Sequence, residues 1–318
     1  MKKTLLVTGG TGFLGRELAL ALKNEYQIVL GARNNKQNAK AKTHTGWEVV
    51  PLDVANLGSV KDVMVEFKPS IVVHAAATKF VDLSERFPME CIDVNVVGSQ
   101  NVARAALDLG VETVIGVSTD KASPPVRNTY GLTKALMERL FCSMNGKTDT
   151  QFTCVRYGNV AWSTGSVLPL WKKMHDDTKV IGTTGPEMRR FFFTVKEAVE
   201  LVKAALVSIS TVKGKVLSRE MKSAQIMNVL DVWIEKFGGR YEKIEGRPGE
   251  RLDEYLIGEQ ELPYTSELTI NGVRHFLLSF NEKVSDPVKV ALSSENASRL
   301  TKQEITDLIS NPPPMEFL

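Results

Sequence analysis

Reactive side chains are concentrated in the segment VSTDKASPPVRNTYGLTK, which covers residues 117–134. Tyr130 and Lys134 are four residues apart, so on a helix they lie on the same face. An ammonium group beside a phenol favours the phenolate and lowers the pKa of the phenol, which can then take a proton from a substrate hydroxyl. Thr119, with Ser118 before it, adds a hydroxyl that shares the hydrogen bond. This set predicts proton removal from an alcohol.

An acid and an amine follow directly, as Asp120 and Lys121. A lysine in such a pair can act as a base only if its amine is neutral for part of the time. Adjacent residues of a strand point to opposite faces, so both reach one substrate only where the strand ends. The alternative is a salt bridge between the two side chains.

A glycine turn stands near the start of the chain, in TGGTGFLG at residues 8–15. It follows an apolar run and opens an amphipathic segment, which is the setting of a dinucleotide-binding turn. Its glycines allow a tight turn, close approach of a pyrophosphate and packing of helix on strand. We therefore assign to cofactor binding Gly9, Thr11, Gly12, Phe13, Leu14 and Gly15.

The second predicted strand ends in Arg33, where an NAD site usually carries an acidic residue. A guanidinium matches a 2′-phosphate in charge and shape, so we expect the cofactor to be NADP. The alternative is a solvated face formed by Arg33, Lys36 and Lys40. Further cofactor contacts are assigned to Asp53, Val54, Ala75, Ala76, Ala77, Asn95, Tyr130 and Lys134.

The elements that position these residues alternate between short apolar runs and helical patterns. The runs cover residues 4–9, 27–32, 47–53, 70–76, 113–118 and 152–158. This alternation predicts an α/β fold with a doubly wound parallel sheet of the Rossmann type. We expect an NADP-binding core over residues 1–165. Residues 166–318 are expected to form mainly a smaller substrate-binding region packed on it, with some segments returning to the sheet.

Helical patterns cover residues 13–24 and 91–110 in the first half, and 195–208, 223–237 and 301–310 in the second. The segment 244–285 is irregular and mixed.

The amino-acid composition argues against a nucleic-acid-binding protein, a metal site and a membrane segment. A net charge of +3 over 318 residues is too small to indicate nucleic-acid binding. Three scattered cysteines indicate a reducing compartment, and the four histidines lack metal-ligand spacing, so no metal is expected. No signal peptide and no apolar run of about 18 residues is present. We expect a soluble, cytoplasmic protein without a membrane segment.

The motifs together resemble the extended short-chain dehydrogenase/reductases, and within them the inverting UDP-N-acetylglucosamine 4,6-dehydratases of bacterial polysaccharide and nonulosonic acid biosynthesis. Beside the glycine turn, the shared motifs are HAAATKFV (74–81), STDKA (118–122), YGLTK (130–134), RYGNV (156–160), GSVLP (165–169), RRFFFT (189–194), EMKS (220–223), RPGERLDE (247–254) and SSENASRLTKQEI (293–305). The STDKA and RPGE motifs are specific, whereas the glycine turn and the Tyr-x-x-x-Lys spacing mark only the superfamily.

The resemblance implies a reaction that begins with transient oxidation at C4 of a nucleotide sugar by NADP. The catalytic set is then Thr119, Asp120, Lys121, Tyr130 and Lys134. Asp120 is the implied acid at the C6 hydroxyl, and Lys121 is the implied base at C5, which it reprotonates from the opposite face. The substrate, a UDP-hexose, is assigned to Lys79, Asn159, Arg190, Arg247 and Glu250. Helices at 91–110 and 130–144 are implied to form a homo-oligomer interface.

Two other functions stay open at this point. A C4 epimerase or reductase would need Tyr130 and Lys134 but not Asp120 or Lys121. A non-catalytic NADP-binding regulator is the third possibility. The chain also departs from the family at Trp162-Ser-Thr-Gly-Ser and at Met188-Arg-Arg-Phe, which leaves the sugar and the nucleotide base open.

Overall fold

The computed structural model describes residues 2–246 and 249–313. The strands are β1 (Thr4–Thr8), β2 (Gln27–Ala32), β3 (Glu48–Pro51), β4 (Ile71–His74), β5 (Thr113–Thr119), β6 (Gln151–Tyr157), β7 (Asn159–Val160), β8 (Val180–Thr183), β9 (Arg189–Phe193), β10 (Val216–Arg219), β11 (Lys222–Gln225), β12 (Arg240–Lys243), β13 (Tyr255–Ile257), β14 (Thr265–Ile270), β15 (Val273–Leu278) and β16 (Leu292–Ser293).

Helices separate most of the strands. They are α1 (Phe13–Ala21), α2 (Asn35–Thr45), α3 (Leu57–Phe67), α4 (Val81–Arg86), α5 (Pro88–Ile92), α6 (Gly98–Asp108), α7 (Thr129–Met144), α8 (Val167–Thr178), α9 (Val195–Val207), α10 (Ile209–Val212), α11 (Ile226–Phe237) and α12 (Lys302–Ser310). A π-helical turn covers Asp93–Val97, and 3₁₀ turns cover Asp120–Ala122 and Glu259–Tyr264.

The main sheet has nine strands in the order β14-β15-β10-β6-β5-β4-β1-β2-β3. Neighbours from β3 to β10 are parallel, whereas β15 and β14 run antiparallel at the far edge. The chain order reverses between β1 and β4, and in such sheets ligands bind at the carboxyl ends of the strands near this reversal. The predicted α/β fold with a doubly wound parallel sheet is confirmed.

Consecutive strand residues serve opposite faces of this sheet. In β1, Leu5 and Val7 pack with α1 and α9, whereas Leu6 packs with α3, α6 and α7. Because both faces are covered, the central strands carry apolar residues on both sides instead of alternating strictly with polar ones. This explains why the continuous apolar runs predicted the strands well.

The second half of the chain holds more strand structure than the sequence pattern indicates. β10, β14 and β15 join the main sheet, while Trp171 and Trp233 belong to a separate apolar cluster. The interpretation of 244–285 as irregular was wrong for part of it, because β14 and β15 form a hairpin there. Asn271 and Gly272 make its turn, with φ of 52° and 76°, as a tight hairpin requires.

The helix predicted over 223–237 begins later, at Ile226, because Lys222–Gln225 pairs with β9 as strand β11. The boundary at residue 165 stays a prediction. Among the described residues, no helix is long and apolar enough to cross a membrane.

Candidate active site

A cavity of about 590 Å³ lies at the carboxyl ends of β1, β4, β5 and β6. The Rossmann half forms one wall, and residues of the second half form the other, including Trp171 and Ile244. Most of the predicted site residues line it: Gly9, Thr11, Gly12, Phe13, Leu14, Gly15, Ala75, Ala76, Ala77, Lys79, Thr119, Lys121, Tyr130, Lys134, Asn159, Arg190 and Glu250. The cavity thus joins motifs from six separate stretches of the sequence.

The glycine turn has the shape of a dinucleotide cradle. Gly9 has a φ of +67°, and a Cβ there would lie 2.7 Å from the backbone of Ala76. A Cβ on Gly15 would collide with the backbone of Gly10, so helix α1 could not approach β1 as closely. The nearest atom to a Cβ on Gly12 is the Gly9 carbonyl oxygen, at 3.1 Å. The residues present therefore fit a dinucleotide whose pyrophosphate lies against the start of α1.

Four residues assigned to the cofactor do not line the cavity. Arg33 is exposed and pairs with Glu90 on α5, at 3.3 Å. The Asp53 carboxylate accepts a hydrogen bond from the Ala55 amide at 3.0 Å, and Val54 is buried against Gly98.

Asn95, in the π-helical turn, is the fourth of these residues. Its Oδ1 accepts from the Thr78 amide at 2.8 Å, and its Nδ2 donates to Thr133 Oγ1 at 3.0 Å. Asn95 therefore ties the loop after β4 to helix α7, which carries the tyrosine and the lysine.

Tyr130 and Lys134 lie in the first turns of α7, whose start is fixed by Asn128. The Asn128 side chain accepts a hydrogen bond from the Gly131 amide at 2.7 Å. Burial raises the pKa of Tyr130 to about 12, against the lowering effects of Lys121 and a hydrogen bond with Thr119. The sequence predicted a lowered pKa for this phenol, whereas in the structure burial raises it. Burial also lowers the pKa of Lys134 to about 8.

Asp120 and Lys121 follow the end of β5, where the chain enters a 3₁₀ turn. The turn breaks the strand alternation, so that Lys121 Nζ lies 3.1 Å from Asp120 Oδ1. Thr119 Oγ1 donates to the same oxygen at 2.9 Å. Asp120 is fully buried just behind the cavity wall, and its Oδ2 has no hydrogen-bond partner among the described residues. The salt bridge therefore occurs, and Lys121 lines the cavity whereas Asp120 does not.

Lys121 has two further polar neighbours from distant parts of the chain. Its Nζ donates to Asn159 Oδ1 at 3.2 Å and lies 3.8 Å from Glu254 Oε1. Burial lowers the pKa of Lys121, but Asp120 and Glu254 raise it by more, so the net shift is upward. Lys121 is therefore held as an ammonium.

The residues assigned to the substrate line both walls, Lys79 and Asn159 from the first half of the chain and Arg190 and Glu250 from the second. Arg190 donates to the carbonyl oxygens of Arg189 and Arg251, both at 2.8 Å. Glu250 accepts from Thr184 Oγ1 at 2.9 Å. Arg247 lies outside the described residues.

Sequence reasoning missed part of the cavity wall, above all Glu254 and Trp171. Glu254 ends the RPGERLDE motif, which was a usable signal, whereas nothing near Trp171 marked it. Trp162, a departure from the family pattern, points away: its Nε1 donates to the Leu308 carbonyl at 2.7 Å.

His74 is buried, with Thr8 Oγ1 at 2.8 Å and Ser99 Oγ at 3.1 Å from its ring nitrogens. Among the residues that the structure describes, no group of three or more His, Cys, Asp or Glu could hold a metal ion.

Known proteins resemble the chain over nearly its whole length. A relative from Methanocaldococcus jannaschii, named an uncharacterized membrane protein, is 36% identical over 96% of this chain and 95% of its own. A UDP-glucose 4-epimerase of Rickettsia bellii is 33% identical over 97% and 96%. An inverting UDP-N-acetylglucosamine 4,6-dehydratase of Campylobacter jejuni is 33% identical over 90% and 85%.

The X-ray structure of Pen from Bacillus thuringiensis has the same fold, with a TM-score of 0.89 and 28% identity over 98% of this chain and 97% of that one. The profile of the family described as polysaccharide biosynthesis protein matches residues 5–271. The predicted resemblance is thereby confirmed, and the chain belongs to this polysaccharide biosynthesis family of extended short-chain dehydrogenase/reductases.

Proposed function

We propose that the protein is a nucleotide-sugar 4,6-dehydratase that acts on UDP-N-acetylglucosamine, uses NADP and inverts C5. One observation carries the proposal: the buried Asp120–Lys121 pair adjoins the cavity that Thr119, Tyr130 and Lys134 line. A redox reaction at C4 alone has no use for a second acid–amine pair beside the tyrosine. The relative named as an inverting dehydratase supports the same reading.

Each of these groups has a defined task in this reaction. A bound nicotinamide would accept the hydride from C4 and return it to C6 after water has left, so that the cofactor ends oxidised. Tyr130 takes the proton of the C4 hydroxyl, and the C4 ketone then acidifies the proton on C5. The Lys121 ammonium would first pass its proton to Asp120 within their ion pair. The Lys121 amine then removes the C5 proton, and the Asp120 acid protonates the departing C6 hydroxyl as water. Lys121 finally returns a proton to C5 from the opposite face.

The diphosphate and the uridine are assigned to residues of both walls. Arg190 and Lys79 carry the charges that suit phosphate oxygens, and Asn159 and Glu250 supply polar atoms beside them. Arg247 is proposed for the same task from its place in the RPGE motif.

NADP is proposed because Arg33 directly follows β2, where a guanidinium suits a 2′-phosphate. Arg33→Ala should weaken NADP binding by about 10-fold or more, which is the loss of one charged hydrogen-bonding partner. NAD binding should change little, because NAD lacks the phosphate. Titration calorimetry with both dinucleotides measures this difference, and equal losses would remove Arg33 from the argument.

The function is tested by incubating the purified protein with NADP and UDP-N-acetylglucosamine in D₂O and following the proton NMR spectrum. We expect the C6 hydroxymethyl signal to be replaced by a methyl singlet, since deuterium at C5 removes the methyl splitting. A UDP-sugar that keeps its C6 hydroxyl and changes only at C4 would refute the dehydratase.

That second outcome corresponds to a C4 epimerase, which the relative named UDP-glucose 4-epimerase favours as the alternative. The double variant Asp120→Asn/Lys121→Met separates the two functions. An epimerase would retain turnover in this variant, whereas a dehydratase would form no methyl product.

We also propose a homo-oligomer built on α5 and α7. Leu132 and Leu136 lie one turn apart on α7 and are 57% and 52% exposed, and Met89 on α5 is 71% exposed. Leu136→Lys should lower the mass measured by light scattering. Val65→Lys, on the exposed face of α3, is the control and should leave the mass unchanged.

A further inference from the structure

Glu254 is a buried carboxylate that the proposed reaction has not yet used. It lies just before β13, and its backbone is fixed on both sides by Ser294. The Glu254 amide donates to Ser294 Oγ at 3.0 Å, and the Ser294 amide donates to the Glu254 carbonyl at 2.8 Å. The residue is 4% exposed and its side chain lines the cavity. A buried carboxylate is costly unless it is paired, so this placement calls for a partner.

The partner that the geometry offers is Lys121. Glu254 Oε1 lies 3.8 Å from Lys121 Nζ, and Glu254 Oε2 has no hydrogen-bond partner in the described part of the chain. Asp120 and Glu254 are the two carboxylates that form ion pairs with Lys121 among the described residues. Two carboxylates from distant parts of the sequence therefore face one ammonium.

The surrounding charges define how the pair responds to pH. Asp120 comes from the turn after β5, Arg190 from β9, Arg251 from the loop before β13, and Tyr130 from α7. The two carboxylates raise the pKa of Lys121, against its burial and the charge of Arg190. Burial raises the pKa of Glu254, although Lys121, Arg190 and Arg251 act in the opposite direction.

The proposed dehydration makes the two carboxylates unequal. Asp120 must carry a proton in order to protonate the C6 hydroxyl, and in that state it has no negative charge to offer Lys121. Between removal of the C5 proton and the departure of water, Lys121 is already an ammonium while Asp120 still carries its proton, and Lys121 must stay in place because it later returns a proton to C5. We propose that Glu254 is a positioning residue that holds the Lys121 ammonium when Asp120 is protonated. This inference rests on the proposed function.

The first test needs no substrate. The side-chain amine of Lys121 is titrated by NMR in protein with labelled lysine, and Lys121→Arg identifies the signal. In Glu254→Gln the midpoint should fall by about one pH unit or more, because an opposite charge within this distance shifts a pKa by about 1–3 units. Glu254→Asp should restore part of the shift. Glu235→Gln, which removes the exposed partner of Lys302, is the matched control and should have no effect.

The second test follows C5 in the reaction. Glu254→Gln should still oxidise C4, but the fraction of 6-deoxy product with inverted C5 should fall, and Glu254→Asp should recover it. An unchanged Lys121 midpoint would overturn the proposal, as would a shifted midpoint with unchanged C5 inversion. If wild-type protein forms no 6-deoxy product, the proposed function fails, and the titration still decides whether Glu254 controls Lys121.

Discussion

Two of the three lysines that line the cavity, Lys121 and Lys134, have sharply different surroundings. Lys134, on α7, is 2% exposed and donates to the sulfur of Met137 at 3.0 Å. Lys121, after β5, donates to Asp120 and Asn159 and faces Glu254. Burial lowers the pKa of Lys134 to about 8, whereas the carboxylates raise that of Lys121. One cavity thus holds one lysine that releases its proton readily and one that retains it.

The difference indicates how one site can separate two proton transfers. Burial is common to both lysines, so burial alone does not decide their protonation. What differs is the number of anionic partners, which depends on residues far away in sequence. The Tyr130–Lys134 region suits the redox step, and the Asp120–Lys121 region suits the later exchange at C5.

The largest expected effect comes from removing the phenol of the first region. Tyr130→Phe keeps the ring but loses the group that accepts the C4 proton. C4 oxidation should fall by about 10²- to 10⁴-fold, the usual contribution of a general base, and all later steps should fall with it. Reduced cofactor and methyl product are both measured, and a normal rate for either would break the assignment. Tyr264→Phe, outside the cavity lining, is the control.

Lys121→Met should impair only the proton exchange at C5, which is assigned to the Asp120–Lys121 region. Oxidation at C4 should persist, because Tyr130 and Lys134 are intact, while deuterium entry at C5 should drop by about 10²-fold or more. Single-turnover absorbance of the reduced cofactor and mass spectrometry of recovered sugar give the two rates. Equal losses in the rate of C4 oxidation and in the rate of deuterium entry would mean that Lys121 and Lys134 do not act separately.

A buried ion network joins the two regions, and its loss should affect stability most. Arg156 pairs with Glu138, one turn after Lys134, and with Glu261. Glu261 also accepts from Ser123, next to the turn that carries Lys121, at 2.9 Å. Arg156→Met leaves two buried carboxylates without their cation, so the free energy of unfolding should fall by about 3–5 kcal/mol.

Denaturant unfolding of Arg156→Met measures that loss. Arg240→Met, which breaks an exposed pair with Glu242, is the control and should cost about 0–1 kcal/mol. A loss for Arg156→Met as small as that of the control would show that the network does not hold the regions together.

Features that depend on the spacing of nearby residues could be predicted from the sequence. The glycine turn, the strand runs and the pair Tyr130–Lys134 depend on neighbours in the chain, and all occupy the expected places. The contact of Glu254 with Lys121 depends on the folded path of the second half, which leaves no periodic signal. The hairpin of β14 and β15 was overlooked although Asn271-Gly272 marks it. Arg33 was interpreted without Glu90, since no pattern links them.

The smallest effect to be measured is a difference in titration between the two lysines of unaltered protein. By NMR of labelled lysine, with Lys121→Arg and Lys134→Arg for assignment, Lys134 should lose its proton near pH 8. Lys121 should keep its proton until above the ordinary lysine value of 10.5. The direction of each pKa shift follows from the surroundings of the lysine, because carboxylates favour the charged form and burial disfavours it. Between these two pH values Lys134 is an amine while Lys121 is still an ammonium. If both lysines instead titrate at the same pH, their different partners do not control their protonation, and the division of the cavity into a redox region and a proton-exchange region loses its physical basis.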